Sequence, residues 1–289
     1  MRSQATRLAS VFLTACFGIG LAQAQPQLPT YNPQTQFSTG QDVVPVYEGW
    51  IRNKDGTFTF VFGYFNRNWK EEPVIPAGPD NKLEPGDVDR GQPTYFLPRR
   101  QPWVFRVTVP ADWGQKELVW SITANGRTEK AYAQLTLEEE ILERLIMTHG
   151  NLNPGEDDPN KPPSVTIAPI KSASVAAPVT LTALVTDDGL PQPKPPPPVR
   201  PGAQTNNVVR PKAGLTVSWM EYRGPGKVMF ESAGPIAVTS GQALTAAHFA
   251  SPGTYVLRAT ASDGALATTA DVTIVVKSEI ANSSEGAKP

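Results

Sequence analysis

The chain has 289 residues and is close to electroneutral, with Lys+Arg 26 against Asp+Glu 27. That balance argues against nucleic acid as the main partner and against a membrane-surface role by bulk charge, since both need a positive excess or a concentrated basic patch. With 30 Pro and 23 Gly among many short alternating runs, the composition suits all-β domains joined by turns.

At the N-terminus, Arg2 and Arg7 precede an apolar run from Leu8 to Leu21, and Ala22-Gln23-Ala24 follows as a cleavage site. This is the pattern of a secretory signal peptide over residues 1–24, and its apolar run is short for a membrane span. The expectation is an exported protein, periplasmic or extracellular, with no transmembrane span. Cys16 is the only cysteine. It closes Leu13-Thr14-Ala15-Cys16, a lipoprotein-like box, so lipid anchoring through Cys16 stands as the alternative to ordinary cleavage. In either case no disulfide can form, and each domain must hold itself by its core.

Residues 25–41, rich in Gln, Pro and Thr, read as a flexible leader. A first domain is expected over 42–136. Val44 to Ile51 is a strand, Lys54-Asp55-Gly56 a tight turn, and Thr57 to Tyr64 a strand with Phe58, Phe60, Phe62 and Tyr64 on one face. Such a row of rings can anchor a sandwich without disulfides. From Glu71 to Pro102 the alternation disappears and seven prolines punctuate a long connection, the foremost functional candidate by length alone. Strands resume at Trp103 to Val109 and at Glu117 to Thr123, which turns at Asn125-Gly126 and returns through Thr128 to Leu135. The runs Ile75 to Asn81 and Asp89 to Pro93 resemble those of uncharacterised secreted bacterial proteins.

Thr136-Leu137-Glu138-Glu139 carries a capping-box signature and predicts a helix to about Thr148, with Ile141, Leu142, Leu145 and Ile146 on one side. Helix and linker together occupy 137–163, and a second domain is expected over 164–277. Its strands are Val179 to Val185, Leu215 to Met220, Tyr255 to Ser262 and Ala270 to Val276. In the third, Tyr255, Leu257, Ala259 and Ala261 share one face, and Asp263-Gly264 makes the reversal into the fourth. Residues 188–212 form a low-complexity insert around Pro195 to Pro198, and 278–289 a polar tail predicted to be disordered.

The second domain resembles immunoglobulin-like and polycystic-kidney-disease-type sandwiches of bacterial secreted proteins. The resemblance implies that Leu181 and Leu257 stand where antibody domains carry their cross-sheet cysteines, that Trp219 packs between them, and that Tyr255 is the corner tyrosine. The fold class expected is all-β: two β-sandwiches, the second immunoglobulin-like, joined by a short helix and a Pro-rich linker.

No Gly-x-Ser-x-Gly elbow, phosphate loop or dinucleotide fingerprint occurs, and His149 and His248 show no zinc spacing. An enzyme is not expected, although a hydrolase with a dispersed carboxylate pair would leave no local signature. No cofactor is implied beyond calcium, for which two acidic groupings are candidates: Asp80, Asn81, Glu84, Asp87 and Asp89 in the long loop, and Asp187, Asp188 and Asp263 at strand ends of the second domain. Candidate ligand-binding residues are Trp69, Tyr95, Phe96, Arg99, Arg100 and Trp113, aromatics and arginines in or beside loops; packing by a folded-back loop is their alternative role. The function expected is a non-catalytic cell-envelope module for protein interaction or structure, with a carbohydrate-binding or calcium-dependent surface module as the rival. The partner is accordingly an envelope protein or a glycan.

Overall fold

Alternation of large apolar side chains sets the strands, and two sandwiches result. The structure, a computed structural model, describes residues 36–150, 158–170, 172–192 and 214–278. The signal peptide and Cys16, most of the leader, the middle of the linker, most of the Pro-rich insert and the tail lie outside the described residues. Residues 36–289 belong to one unit. Among the described residues no helix is long and apolar enough to cross a membrane.

In the first sandwich, β1 (Val43–Arg52), β2 (Phe58–Asn66) and β4 (Arg99–Val109) form one antiparallel sheet with β2 central. The other sheet is β3 (Asn81–Glu84), β5 (Leu118–Ala124) and β6 (Arg127–Ala133). Phe60, Phe62 and Tyr64 of β2 are fully buried and Phe58 packs against the same core. Phe62 meets Trp120 edge-on at 5.8 Å and stacks on Phe105 at 6.0 Å, so rings from both sheets fill the space that a disulfide would otherwise staple.

The proline-punctuated connection contributes β3, which sequence periodicity missed because only Asn81 and Leu83 face inward. Asn81 is fully buried and organises the loop. Its Nδ2 donates to the carbonyls of Ile75 (2.9 Å) and Pro93 (2.8 Å), and its Oδ1 accepts the Trp120 indole N–H at 2.9 Å.

The predicted helix is broken. A 3-10 turn spans Leu137–Glu139, Glu140 is extended, and α1 covers only Glu143–Met147. The Thr136 hydroxyl bonds the Glu139 carboxylate instead of capping a main-chain N–H. Meanwhile Ile141 N donates to Trp50 O at 2.8 Å, so the open edge of β1 captures the chain where a helix would have continued. Leu137 and Leu142 are left 78% and 70% exposed.

The second sandwich has sheets β11-β13-β9-β7 and β12-β10-β14-β15-β8. Their ranges are β7 Ser164–Ile167, β8 Ala173–Ser174, β9 Val179–Thr186, β10 Thr216–Arg223, β11 Val228–Phe230, β12 Ile236–Ala237, β13 Gln242–Phe249, β14 Gly253–Ser262 and β15 Ala267–Lys277. The first order, and β10-β14-β15 at the centre of the second, correspond to the D-E-B-A and C-F-G sheets of immunoglobulin-type folds, with β12 and β8 added at the two edges. The first edge changes sheet, β7 pairing antiparallel with β9 and β8 parallel with β15. Leu181, Leu257 and Tyr255 are fully buried and Trp219 packs against both halves of the core. The Tyr255 hydroxyl donates to Ser251 O at 2.8 Å, the corner-tyrosine bond that the resemblance implied.

Candidate functional site

A bulge in β4 begins the site. Phe62 pairs with Phe105 and Tyr64 with Gln101, so one residue of β2 faces three of β4, among them Pro102, which has no N–H for the ladder. The extra chain puts Trp103 at φ 53°, a left-handed conformation that a bulky residue rarely adopts. Trp103 lines a groove of about 780 Å³ between the sandwiches. Ile146 and Met147 of α1 and His149 beside it lie along the groove, and Met220 and Tyr222 of β10 with Arg258 and Thr260 of β14 form the opposite wall.

The charges in the groove are mostly matched. Arg258 makes a bidentate pair with Asp271 (2.7 and 2.8 Å), and Arg106 does so with Glu143 (2.7 and 2.8 Å). Arg90 is the exception: it lines the same groove, and its buried Nη1 has no hydrogen-bond partner. A guanidinium N–H held away from water without an acceptor is costly, so a turn of the Arg90 side chain toward the groove would be favoured by an anionic group placed there.

Beside the groove the sandwiches are sewn together. The main-chain N–H groups of Thr94 and Tyr95 donate to Tyr222 O at 3.2 and 3.4 Å, and Gly224 N donates to Thr94 Oγ1 at 3.2 Å. The Tyr222 hydroxyl donates to Gly91 O at 2.6 Å, and ion pairs join Arg223 to Asp89 (2.7 Å) and Lys227 to Glu72 (2.6 Å). Glu72 also accepts the Tyr95 hydroxyl. Glu221, 2% exposed, lies behind this seam. Its Oε2 accepts Val228 N–H at 2.8 Å and its Oε1 has no partner. Burial, reinforced by the charge of Glu72, pushes its carboxyl up to about 8.

The candidate ligand-binding residues are dispersed. Phe96 is a core residue packed on Tyr64 at 5.0 Å, and Trp113, 7% exposed, packs on Phe60 at 6.0 Å. Tyr95, 3% exposed, belongs to the seam, where burial and Glu72 raise its phenol well above the usual range. These three have folded back rather than offering faces to solvent. Arg100 is paired with Glu48. Only Arg99 and Trp69 meet on the surface, with the guanidinium 4.3 Å from the ring centroid.

Among the acidic candidates, Asp89 serves the seam through Arg223, and Asn81 is the internal brace described above. No three Asp, Glu, His or Cys side chains converge as a metal set among the described residues. Asp187, Asp188 and Asp263 gather at one end of the second sandwich together with Asn160, which the sequence did not single out. Arg90, Trp103, Tyr222 and Glu221 were missed as well. The one available signal was Arg258, a long cation on the outer face of β14 among Val256, Thr260 and Ser262.

No protein-family model and no curated protein matches the chain. Among solved structures, a conjugative transposon lipoprotein from Bacteroides eggerthii is similar over 39% of this chain and 96% of its own, at 8% identity and TM-score 0.27. The D00-D0 domain of intimin covers 81% of this chain and all of its own, at 13% identity and TM-score 0.26. The titin domains Z1Z2 in complex with telethonin cover 81% of this chain and 97% of theirs, at 11% identity and TM-score 0.23.

Proposed function

We propose that this is an exported, non-catalytic module of the cell envelope that binds a partner protein in the groove between its sandwiches. The observation that carries the reading is Arg90, whose buried Nη1 lacks an acceptor in a groove lined by the strained Trp103 and by Tyr222. A polypeptide segment bearing a carboxylate would satisfy the guanidinium while its apolar side chains cover Trp103, Ile146 and Met147. The glycan alternative draws less support, because the guanidinium of Arg99 already covers the ring of Trp69, the one exposed aromatic of the candidate set. A carboxylate-pair hydrolase draws less still: Glu72 is committed to Tyr95 and Lys227, and Glu221 is closed to substrate.

The test is parallel affinity capture from envelope extract on immobilised wild-type protein, Arg90→Gln and Trp103→Ala. The expected result is one protein at stoichiometric yield on the wild type and its loss from both variants. Elution of glycan by competing sugar, or equal retention by all three proteins, would overturn the reading.

A further inference from the structure

The first sheet has two edges, and the chain treats them differently. At β1 the edge is taken: Trp50 bridges Glu140 in parallel, and its carbonyl accepts Ile141 N–H at 2.8 Å. At the other edge β4 pairs only with β2. An unpaired edge presents a row of main-chain donors and acceptors that water or another strand must satisfy.

The register identifies these groups. Trp50 turns its carbonyl away from β2, so its cross-strand partner Phe60 turns its own N–H and C=O toward β4, where Val107 faces it. Main-chain groups alternate in direction along a strand, so Arg106 and Thr108, on either side of Val107, direct theirs away from the sheet. Val104 has the same parity, and its carbonyl does accept a donor from outside the sheet, the Arg258 guanidinium. Among the described residues, no hydrogen bond from outside the sheet reaches the main-chain N–H or C=O of Arg106 or Thr108.

This stretch opens into the groove. Val104, Phe105 and Arg106 line it, with α1 on one side and Met220, Tyr222 and Thr260 on the other. The bulge sets its upstream limit, because Pro102 has no N–H and Trp103 leaves the extended region. Charge does not blunt the edge either: the one charged side chain between Val104 and Val109, Arg106, is drawn off by its bidentate pair with Glu143.

We propose that Val104–Val109 of β4 takes an extended segment of the partner polypeptide as an added strand, bonded through the main chain at Arg106 and Thr108. The proposal rests on the groove reading and specifies how the groove is used. The free groups recur at every second residue, which is the repeat of a strand; a helix satisfies its own main chain and a glycan has no such row. A groove of about 780 Å³ takes a single chain segment and not the edge of a second sandwich, so the occupant is an unpaired segment rather than another copy.

The experiment is selection of random linear peptides, displayed on phage, against the immobilised full chain. Affinities of the enriched peptides are then measured in solution, together with copies N-methylated at one residue at a time. Methylation at alternate residues should lower affinity about tenfold or more, while methylation between them changes it less than about twofold. Amide exchange at Arg106 and Thr108 should slow when such a peptide binds the wild type. Thr108→Pro removes an N–H that the β2 ladder does not use, so the fold should survive and affinity should fall about tenfold. The methylation scan needs only the wild type and stands even if that variant fails to fold. Failure to enrich any peptide with the two-residue repeat would overturn strand addition. Loss of the captured envelope partner on Trp103→Ala without that repeat would do the same and leave the groove reading standing.

Discussion

The Arg258 guanidinium lies 4.0 Å from the centroid of the Tyr222 ring while its Nη1 donates to Val104 O across the seam at 2.5 Å. With Nε and Nη2 held by Asp271, one side chain joins both faces of the groove. Arg258→Ala should lower stability by about 2 kcal/mol in urea unfolding, because it removes the donor to Val104 O and the cation stacked on Tyr222, while Asp271 remains in contact with solvent. Lys at this position should recover little of the loss, since an ammonium lacks the planar fork and stacks less well.

Glu221 makes stability fall with rising pH. Its folded-state carboxyl titrates near 8, against an ordinary value of 4.5. The folded state therefore binds the extra proton between those values. The contribution is fully present below pH 4.5 and lost as the pH rises to about 8, each unit of displacement being worth about 1.4 kcal/mol. Glu221→Gln keeps an acceptor for Val228 N–H and cannot ionise. Urea unfolding of both proteins from pH 5 to 9 should show the variant gaining on the wild type with pH, by up to a few kcal/mol.

Asn81→Ala should cost about 3 kcal/mol or more. It strands the Trp120 indole N–H and leaves the carbonyls of Ile75 and Pro93 without their donor in a fully buried setting. Limited proteolysis should then cut between Glu71 and Pro102, whereas the wild type resists there.

Gly224→Ala should disrupt the seam. A Cβ at Gly224 would collide with the Tyr255 ring and with Glu221 Oε1, neither of which has room to withdraw. Overpacking of this kind costs about 1–3 kcal/mol. Thermal unfolding should show the loss, and amide exchange should rise at Thr94 and Tyr95.

Periodicity was sufficient for the strands with a clean dyad repeat. Tyr255, Leu257, Ala259 and Ala261 all point into the core as their alternation predicts, and so do Phe60, Phe62 and Tyr64. Short strands lacked that signal: β3 places only Asn81 and Leu83 inward, and β8 and β12 have two residues each. The helix failed for a different reason. Its local capping signature was outcompeted by the free edge of β1 at Trp50, a partner far away in sequence. The groove was least legible. Tyr222 and Arg258 sit on faces that a solitary sandwich would expose to water, and their partners Gly91 and Val104 are distant loop and bulge residues. Loop aromatics, by contrast, proved to be core: Phe96 because the proline-rich loop folds over the first sheet, and Trp113 because the turn between β4 and β5 tucks its ring against Phe60.

The seam also orders events in time. The Tyr222 hydroxyl reaches back 131 residues to Gly91, and Gly224 reaches back 130 to Thr94. A chain made from its N-terminus therefore completes the first sandwich well before the strand that satisfies the amides of Thr94 and Tyr95 exists. During that interval the N-terminal half carries a sticky margin that its own sequence cannot close. Growth conditions that slow synthesis between residues 134 and 222 should increase aggregation of nascent chains more than a pause after Arg258.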